Sequence, residues 1–132
     1  MPLDPFRAGS TQDWLRHAKS DLALAQQPLA PEVLYEALCF HAQQTAEKAL
    51  KAVLVHNGGD FPLTHSIARL ITVIQEQSIE WPKELDDAAS LTQYAVQLRY
   101  PGSHAEATEA DYREAVEIAA KILAWAEERV SR

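Results

Sequence analysis

Apolar residues recur along most of this chain at three- and four-residue spacing, the pattern of helices that bury one face. Five such segments are separated by prolines, glycines and capping residues. The first follows Ser10, a predicted N-cap, has Asp13 in its first turn and ends before Pro28. Its predicted buried face consists of Trp14, Leu15, Ala18, Leu22 and Ala25.

The second segment covers residues 31–57, from a proline in its first turn to a pair of glycines that stop it. It is apolar on more than one side, as expected of the central helix of a bundle or of a helix in a dimer interface. Its polar edge, which we expect to face water, consists of Glu36, Gln43, Glu47 and Lys51. The last two residues have the i,i+4 spacing of a favourable ion pair.

Thr64 is the predicted cap of the third segment. The fourth begins at Pro82 and is predicted to end at Arg99 or Tyr100, because a proline follows and disfavours helix in the residue before it. Its predicted buried face consists of Leu85, Ala88, Thr92, Ala95 and Val96. On the same helical wheel Arg99 lies close to this face, so we predict that it points inward.

Thr108 and Asp111 form a predicted capping box for the fifth segment. The buried face expected there consists of Tyr112, Ala115, Ala119, Ile122 and Ala126, with Trp125 at the rim. Together the segments predict an all-α fold, an antiparallel up-and-down bundle of four or five helices, as a single domain over residues 1–132.

Charge and cysteine content narrow the class of function. The net charge of −7 argues against non-specific binding to duplex DNA, although it allows a small basic pocket. The single cysteine, Cys39, permits no disulfide within the chain and no thiolate metal motif. Charged residues interrupt the long apolar run of residues 34–55, and the first ten residues lack a secretory signal. We therefore expect a soluble, cytoplasmic protein with no membrane span, metal or cofactor.

Two stretches together resemble the HEPN family of small helical-bundle proteins. They are FHAQQTAEKALKAVLVHNGGDFPLTHSIARL at residues 40–70 and QLRYPG at residues 97–102. The resemblance implies a homodimer, often encoded beside a minimal nucleotidyltransferase as a toxin–antitoxin-like pair. Many members are metal-independent ribonucleases that use an arginine and a histidine separated by four to six residues. Others lack that motif and bind nucleotides or act as accessory subunits.

Arg99 and His104 match this motif, with four residues between them. By the resemblance they are catalytic, Arg99 binding phosphate and His104 acting as general acid or base. The residues alone leave other roles open. Arg99 could instead reach the last carbonyls of its helix or pair with an acid such as Glu106. His104 could be a solvated loop residue, and Tyr100 could stack on a base or pack beneath the loop.

A second candidate set lies on the second segment. His41, Gln44 and Lys48 are three and seven positions apart and share one helix face, with Thr45 beside them. This patch could contact a nucleotide or a partner subunit, and we include His41 and Lys48 among the candidate nucleotide- and phosphate-binding residues. It could equally be an interhelical hydrogen-bond network that closes the bundle. His65, which follows the predicted cap, is expected to be structural.

Overall fold

The computed structural model describes residues 9–27, 30–95 and 105–132. Five helices occupy these ranges: α1 (Thr11–Ala25), α2 (Tyr35–His56), α3 (Ile67–Glu76), a 3-10 helix (Lys83–Tyr94) and α4 (Glu109–Val130). The described residues contain no strand. The predicted all-α helical bundle is therefore confirmed.

Helix α2 is the centre of the bundle and contacts α1, α3, α4 and the 3-10 helix. Apolar residues are buried on several of its sides, among them Leu38, Cys39, Ala42, Ala46, Ala49, Leu50, Val53 and Leu54. The helix begins at Tyr35, four residues later than predicted. Pro31 precedes it in a turn, and Leu34 is an exposed N-cap whose side chain makes no capping hydrogen bond. The predicted role of α2 as the central helix is confirmed, and its part in a dimer interface stays a prediction.

Capping side chains fix the starts of three other helices. The capping boxes at Ser10–Asp13 in α1 and at Thr108–Asp111 in α4 are both present, as predicted. Helix α3, however, is capped by Ser66, which accepts from the backbone N–H of Arg69. The predicted cap, Thr64, instead accepts a hydrogen bond from the Ser66 backbone N–H at 3.0 Å and so shapes the turn before the helix.

The fourth element differs from the predicted α-helix because it winds as a 3-10 helix with three residues per turn. Residues three apart therefore share a face, and the residues facing the core are Leu85, Ala88, Leu91 and Tyr94. Thr92, predicted to be on the buried face, is only partly buried, and its hydroxyl accepts from the backbone N–H of Ile67 at 3.0 Å. The inward orientation predicted for Arg99 assumed α-helical geometry, which does not hold over Lys83–Tyr94, and Arg99 itself is outside the described residues.

No helix in the described ranges is both long and apolar enough to cross a bilayer.

Candidate functional site

Three of the predicted site residues, Arg99, Tyr100 and His104, lie outside the described residues, as does the predicted end of the fourth helix. On either side of them the chain is held by hydrogen bonds. Ala95 closes the 3-10 helix by donating its backbone N–H to the Thr92 carbonyl at 2.9 Å. The backbone N–H of Ala107 donates to Glu36 Oε1 at 3.3 Å. The chain that follows the predicted motif is thereby attached to the first turn of α2.

The other two predicted residues, His41 and Lys48, meet at one carboxylate of α1. Lys48 Nζ donates to Asp21 Oδ2 at 2.6 Å, and His41 Nδ1 lies 3.0 Å from Asp21 Oδ1. Asp21 is only 7% exposed. Since an ionised carboxylate only accepts hydrogen bonds, the proton of this contact lies on His41 Nδ1. The contact with Asp21 fixes the orientation of the imidazole, and Nε2 is the ring nitrogen that does not take part in it. We call Asp21, His41 and Lys48 the Asp21 cluster.

The Asp21 cluster is the interhelical network that the sequence left open for this face of α2. The neighbouring side chains of Thr45 and Gln44 form hydrogen bonds within α2. Thr45 Oγ1 donates to the His41 carbonyl, and Gln44 Nε2 donates to Gln43 Oε1. The same geometry holds an ammonium and an imidazole in fixed positions on a partly exposed face. A nucleotide contact at His41 and Lys48 therefore stays a prediction beside the structural role.

Asp21 was not among the predicted site residues, although one signal for it was available. The residue lies one turn from Ala18 and from Ala25, on the apolar face of α1. A carboxylate on a buried face needs a cation or hydrogen-bond donors, because burying an unpaired charge is costly. The basic residues on the facing side of α2 were the obvious partners.

Gln43, Glu47, Lys51 and His65 form a second group of contacting side chains, which we call the Glu47 cluster. It shows that the predicted water-facing edge of α2, Glu36, Gln43, Glu47 and Lys51, is wrong. Gln43, Glu47 and Lys51 are buried, and Glu36 is partly buried. Glu47 Oε2 accepts from Lys51 Nζ at 2.9 Å, Oε1 accepts from Gln43 Nε2 at 3.0 Å, and His65 Nδ1 lies 2.9 Å from Oε1. The prediction failed because this side of α2 is also covered, by Trp14 of α1 and by Phe61 and His65 from the segment between α2 and α3.

Aromatic rings complete the surroundings of the Glu47 cluster. The ammonium of Lys51 lies 5.8 Å from the ring centre of Trp14 and 5.2 Å from that of Phe61, within cation–π range. Burial by itself raises the pKa of Glu47. The hydrogen bonds from Gln43, Lys51 and His65 outweigh it and leave that pKa below the usual value for a glutamate. The cluster ties α2 to the turn before α3, consistent with the structural role predicted for His65.

Comparison with known proteins assigns the chain to a family. The model of the HEPN domain matches residues 11–129 of the chain. The chain belongs to the HEPN family. Among solved structures, this HEPN protein is similar to TT1696 from Thermus thermophilus at 34% identity and a TM-score of 0.76, covering 90% of this chain and 97% of that one. It is also similar to ST0689, an archaeal HEPN homologue, at 30% identity and a TM-score of 0.74, covering 93% and 99% respectively. No match is found among curated proteins.

The part of this HEPN protein that the structure describes offers neither a metal site nor an activated thiol. Within the described ranges no three histidine, cysteine or acidic residues group as metal ligands. Cys39 is fully buried, and its burial raises the pKa of the thiol to about 11. Because the thiolate is the nucleophilic form, this cysteine is inert in the folded protein.

Proposed function

We propose that this HEPN protein binds the phosphate group of a nucleotide or of RNA, with Arg99 as the principal cation. The proposal extends to metal-independent cleavage of RNA by Arg99 and His104 in a homodimer. We further propose a cytoplasmic, single-domain protein that works with a minimal nucleotidyltransferase in a toxin–antitoxin-like pair. Family membership together with the Arg99–His104 spacing is the observation that carries the proposal.

Two structural observations support it. The chain after the motif is attached to α2 through Ala107 and Glu36, and the chain before it follows directly from the 3-10 helix. Both flanking points belong to the packed bundle, and groups that act on a substrate are best positioned from rigid elements. The second observation is the Asp21 cluster, in which His41 and Lys48 have fixed positions on a partly exposed face of α2. Tyr100 would stack on a base beside the motif.

The chemistry of cleavage needs two groups. The planar guanidinium of Arg99 suits two phosphate oxygens at once and stabilises the charge that develops on them in the transition state. His104 removes the proton of the ribose 2′-hydroxyl, or donates one to the leaving 5′ oxygen. Attack by the 2′ oxygen gives a 2′,3′-cyclic phosphate and a 5′-hydroxyl, with no step that requires a metal.

The test is cleavage of a single-stranded RNA in the presence of EDTA by the wild type and by the Arg99→Ala and His104→Ala variants. Arg113→Ala is the matched control, because Arg113 is an exposed arginine of α4 in an ordinary i,i+4 pair with Glu109. We expect cleavage by the wild type and the control only. Equal cleavage by all four proteins would remove the ribonuclease from the proposal.

A second candidate is a non-catalytic accessory subunit of the nucleotidyltransferase. The observation that favours it is the exposure of four large apolar side chains among the described residues, Leu24, Val33, Leu34 and Leu63. A contiguous exposed apolar patch is typical of a surface that binds another protein, and Val33 and Leu34 are adjacent in the chain. This candidate predicts no RNA cleavage, together with co-purification of the nucleotidyltransferase when both proteins are expressed. Replacing Val33 and Leu34 by serine should reduce that co-purification.

A further inference from the structure

The chain contains a single asparagine, Asn57, and a glycine follows it. Asn57 is the C-cap of α2 and is exposed to solvent. An asparagine before a glycine is prone to deamidation, because glycine has no side chain to obstruct attack by its backbone nitrogen on the asparagine amide. At Gly58, no atom beyond the adjacent residues lies within 4 Å of the place where a Cβ would be. Water therefore reaches the pair from an open side.

The same residues close α2 with a Schellman motif. Gly58 has a φ of +77°, in the left-handed region that glycine adopts without strain. Its backbone N–H donates to the Val55 carbonyl at 3.0 Å. The next N–H, of Gly59, donates to the Leu54 carbonyl at 3.1 Å. The nitrogen that would attack Asn57 is thus engaged in the motif, and deamidation requires a local opening of this turn.

A side chain at the end of α3 restrains the amide that would leave. Gln77, the C-cap of α3, accepts a hydrogen bond at Oε1 from Asn57 Nδ2 at 3.1 Å. Its Nε2 donates to the Asp60 carbonyl at 3.4 Å. The Gln77 amide also lies directly against Gly59, where a Cβ would come within 2.5 Å of it. The amide nitrogen that Asn57 would lose is therefore held by a side chain that is itself fixed.

We propose that Asn57 is a site of spontaneous deamidation whose rate is limited by the Schellman motif and by Gln77. When the turn opens, the Gly58 backbone nitrogen loses its proton and attacks Cγ of Asn57. The Cγ–Nδ2 bond breaks, the amide nitrogen leaves as ammonia with that proton, and a five-membered succinimide remains. Water then opens the ring at either carbonyl and leaves aspartate or isoaspartate at position 57.

Either product adds a negative charge at the C-terminus of α2. The helix dipole disfavours an anion there, since the last carbonyls of the helix already carry partial negative charge. The carboxylate also lacks the N–H that Asn57 donates to Gln77 Oε1. Deamidation should therefore weaken the contact between the ends of α2 and α3. Isoaspartate, which adds a methylene to the backbone, should weaken it more than aspartate.

The test incubates the full-length protein at pH 8, either folded in buffer or unfolded in guanidinium chloride. Mass spectrometry follows the peptide that contains residue 57. Deamidation raises the mass of this peptide by nearly one unit, and the succinimide gives two isomeric products that chromatography separates. We expect the folded protein to react at least about tenfold more slowly than the unfolded protein, because the hydrogen bonds of the motif must break first.

Gln77→Ala should deamidate about two- to tenfold faster than the folded wild type, since one hydrogen bond no longer restrains the Asn57 amide. In guanidinium chloride the two proteins should react at the same rate. Gln75→Ala is the matched control and should react as the wild type does. Gln75 is an exposed glutamine of the same helix, and its side chain makes no hydrogen bond to the described part of the chain.

The consequence of the modification is tested with Asn57→Asp, which has the structure of one product. Its Tm should be at least about 2 °C below that of the wild type, because the new charge lies at the unfavourable end of α2.

Four results would overturn the proposal. Absence of the two isomers from the unfolded protein would show that Asn57 is not a deamidation site. Equal rates for folded and unfolded wild type would show that the turn does not limit the reaction, and equal rates for folded Gln77→Ala and wild type would show the same for Gln77. An equal Tm of Asn57→Asp and wild type would exclude the weakened contact between α2 and α3.

Discussion

Replacing Glu47 by glutamine should destabilise this HEPN protein strongly, although a sequence pattern places Glu47 on a water-facing edge. The substitution removes the charge from a carboxylate that is only 5% exposed. Its partner ammonium, on Lys51, is 8% exposed and lies 2.9 Å away. Gln43 and His65 lose a charged acceptor at the same time. The substitution therefore leaves a buried cation without its counter-ion.

The magnitude follows from the burial of the pair. Removing one partner of a buried ion pair costs about 3–5 kcal/mol, because the remaining charge is left unpaired in a poorly solvated site. For a chain of this length, 1 kcal/mol corresponds to a Tm change of about 4 °C. We expect a loss of about 12–20 °C. The rings of Trp14 and Phe61 near the Lys51 ammonium compensate only a part of this loss.

The assay is urea and thermal unfolding followed by far-ultraviolet circular dichroism, with two companion variants. Glu117→Gln is the control, because Glu117 forms the same i,i+4 contact with Lys121 on an exposed face of α4. It should change stability by less than about 0.5 kcal/mol. The double variant Glu47→Gln/Lys51→Met should be more stable than Glu47→Gln alone, since it leaves no unpaired ammonium. If Glu47→Gln were as stable as Glu117→Gln, the reasoning about the buried cluster would be refuted.

Three other predictions concern pH, thiol reactivity and the 3-10 helix. The pKa of Glu47 is below its usual value of 4.5, so its contribution to the free energy of unfolding is present above pH 4.5 and is lost in more acid solution as the carboxylate protonates. The difference in stability between the wild type and Glu47→Gln should therefore shrink below that pH. A difference that stays constant with pH would contradict this. Burial raises the pKa of the Cys39 thiol to about 11. A disulfide reagent at pH 8 should therefore modify the folded protein at least about a hundredfold more slowly than the urea-unfolded protein. Similar rates for the two states would show that the thiol is accessible. Leu91 of the 3-10 helix is 1% exposed, whereas Leu63 is 83% exposed. Leu91→Ala should therefore lower the free energy of unfolding in urea by about 2–4 kcal/mol, and Leu63→Ala by less than about 0.5 kcal/mol. Equal losses would show that Leu91 is not on the buried face of the 3-10 helix.

Much of the fold could be predicted from local sequence signals. The capping boxes of α1 and α4 depend on residues three apart, and both appear where Ser10 and Thr108 indicated them. The apolar faces of these two helices follow from α-helical spacing. The fourth element could not be predicted in the same way, because its spacing suits both three and 3.6 residues per turn. The packing of Leu91 and Tyr94 against the core distinguishes the two geometries, and that packing is a tertiary property.

The candidate site was only partly predictable. His41 and Lys48 share a helix face, and both possible roles of that face could be inferred from their spacing, yet their common partner Asp21 comes from a different helix. The Glu47 cluster was predicted wrongly because a polar stripe on a helix says nothing about how many neighbours enclose that helix. Arg99, Tyr100 and His104 were selected through resemblance to a family, and their roles stay predictions.

The central claim is that Arg99 binds phosphate, and fluorescence anisotropy of a labelled single-stranded RNA tests it most directly. Binding is measured in EDTA for the wild type, Arg99→Ala and the exposed-arginine control Arg113→Ala. Loss of a charged hydrogen bond to phosphate predicts at least about tenfold weaker binding by Arg99→Ala, with the control unchanged. Equal affinity of all three proteins for the RNA would contradict the account.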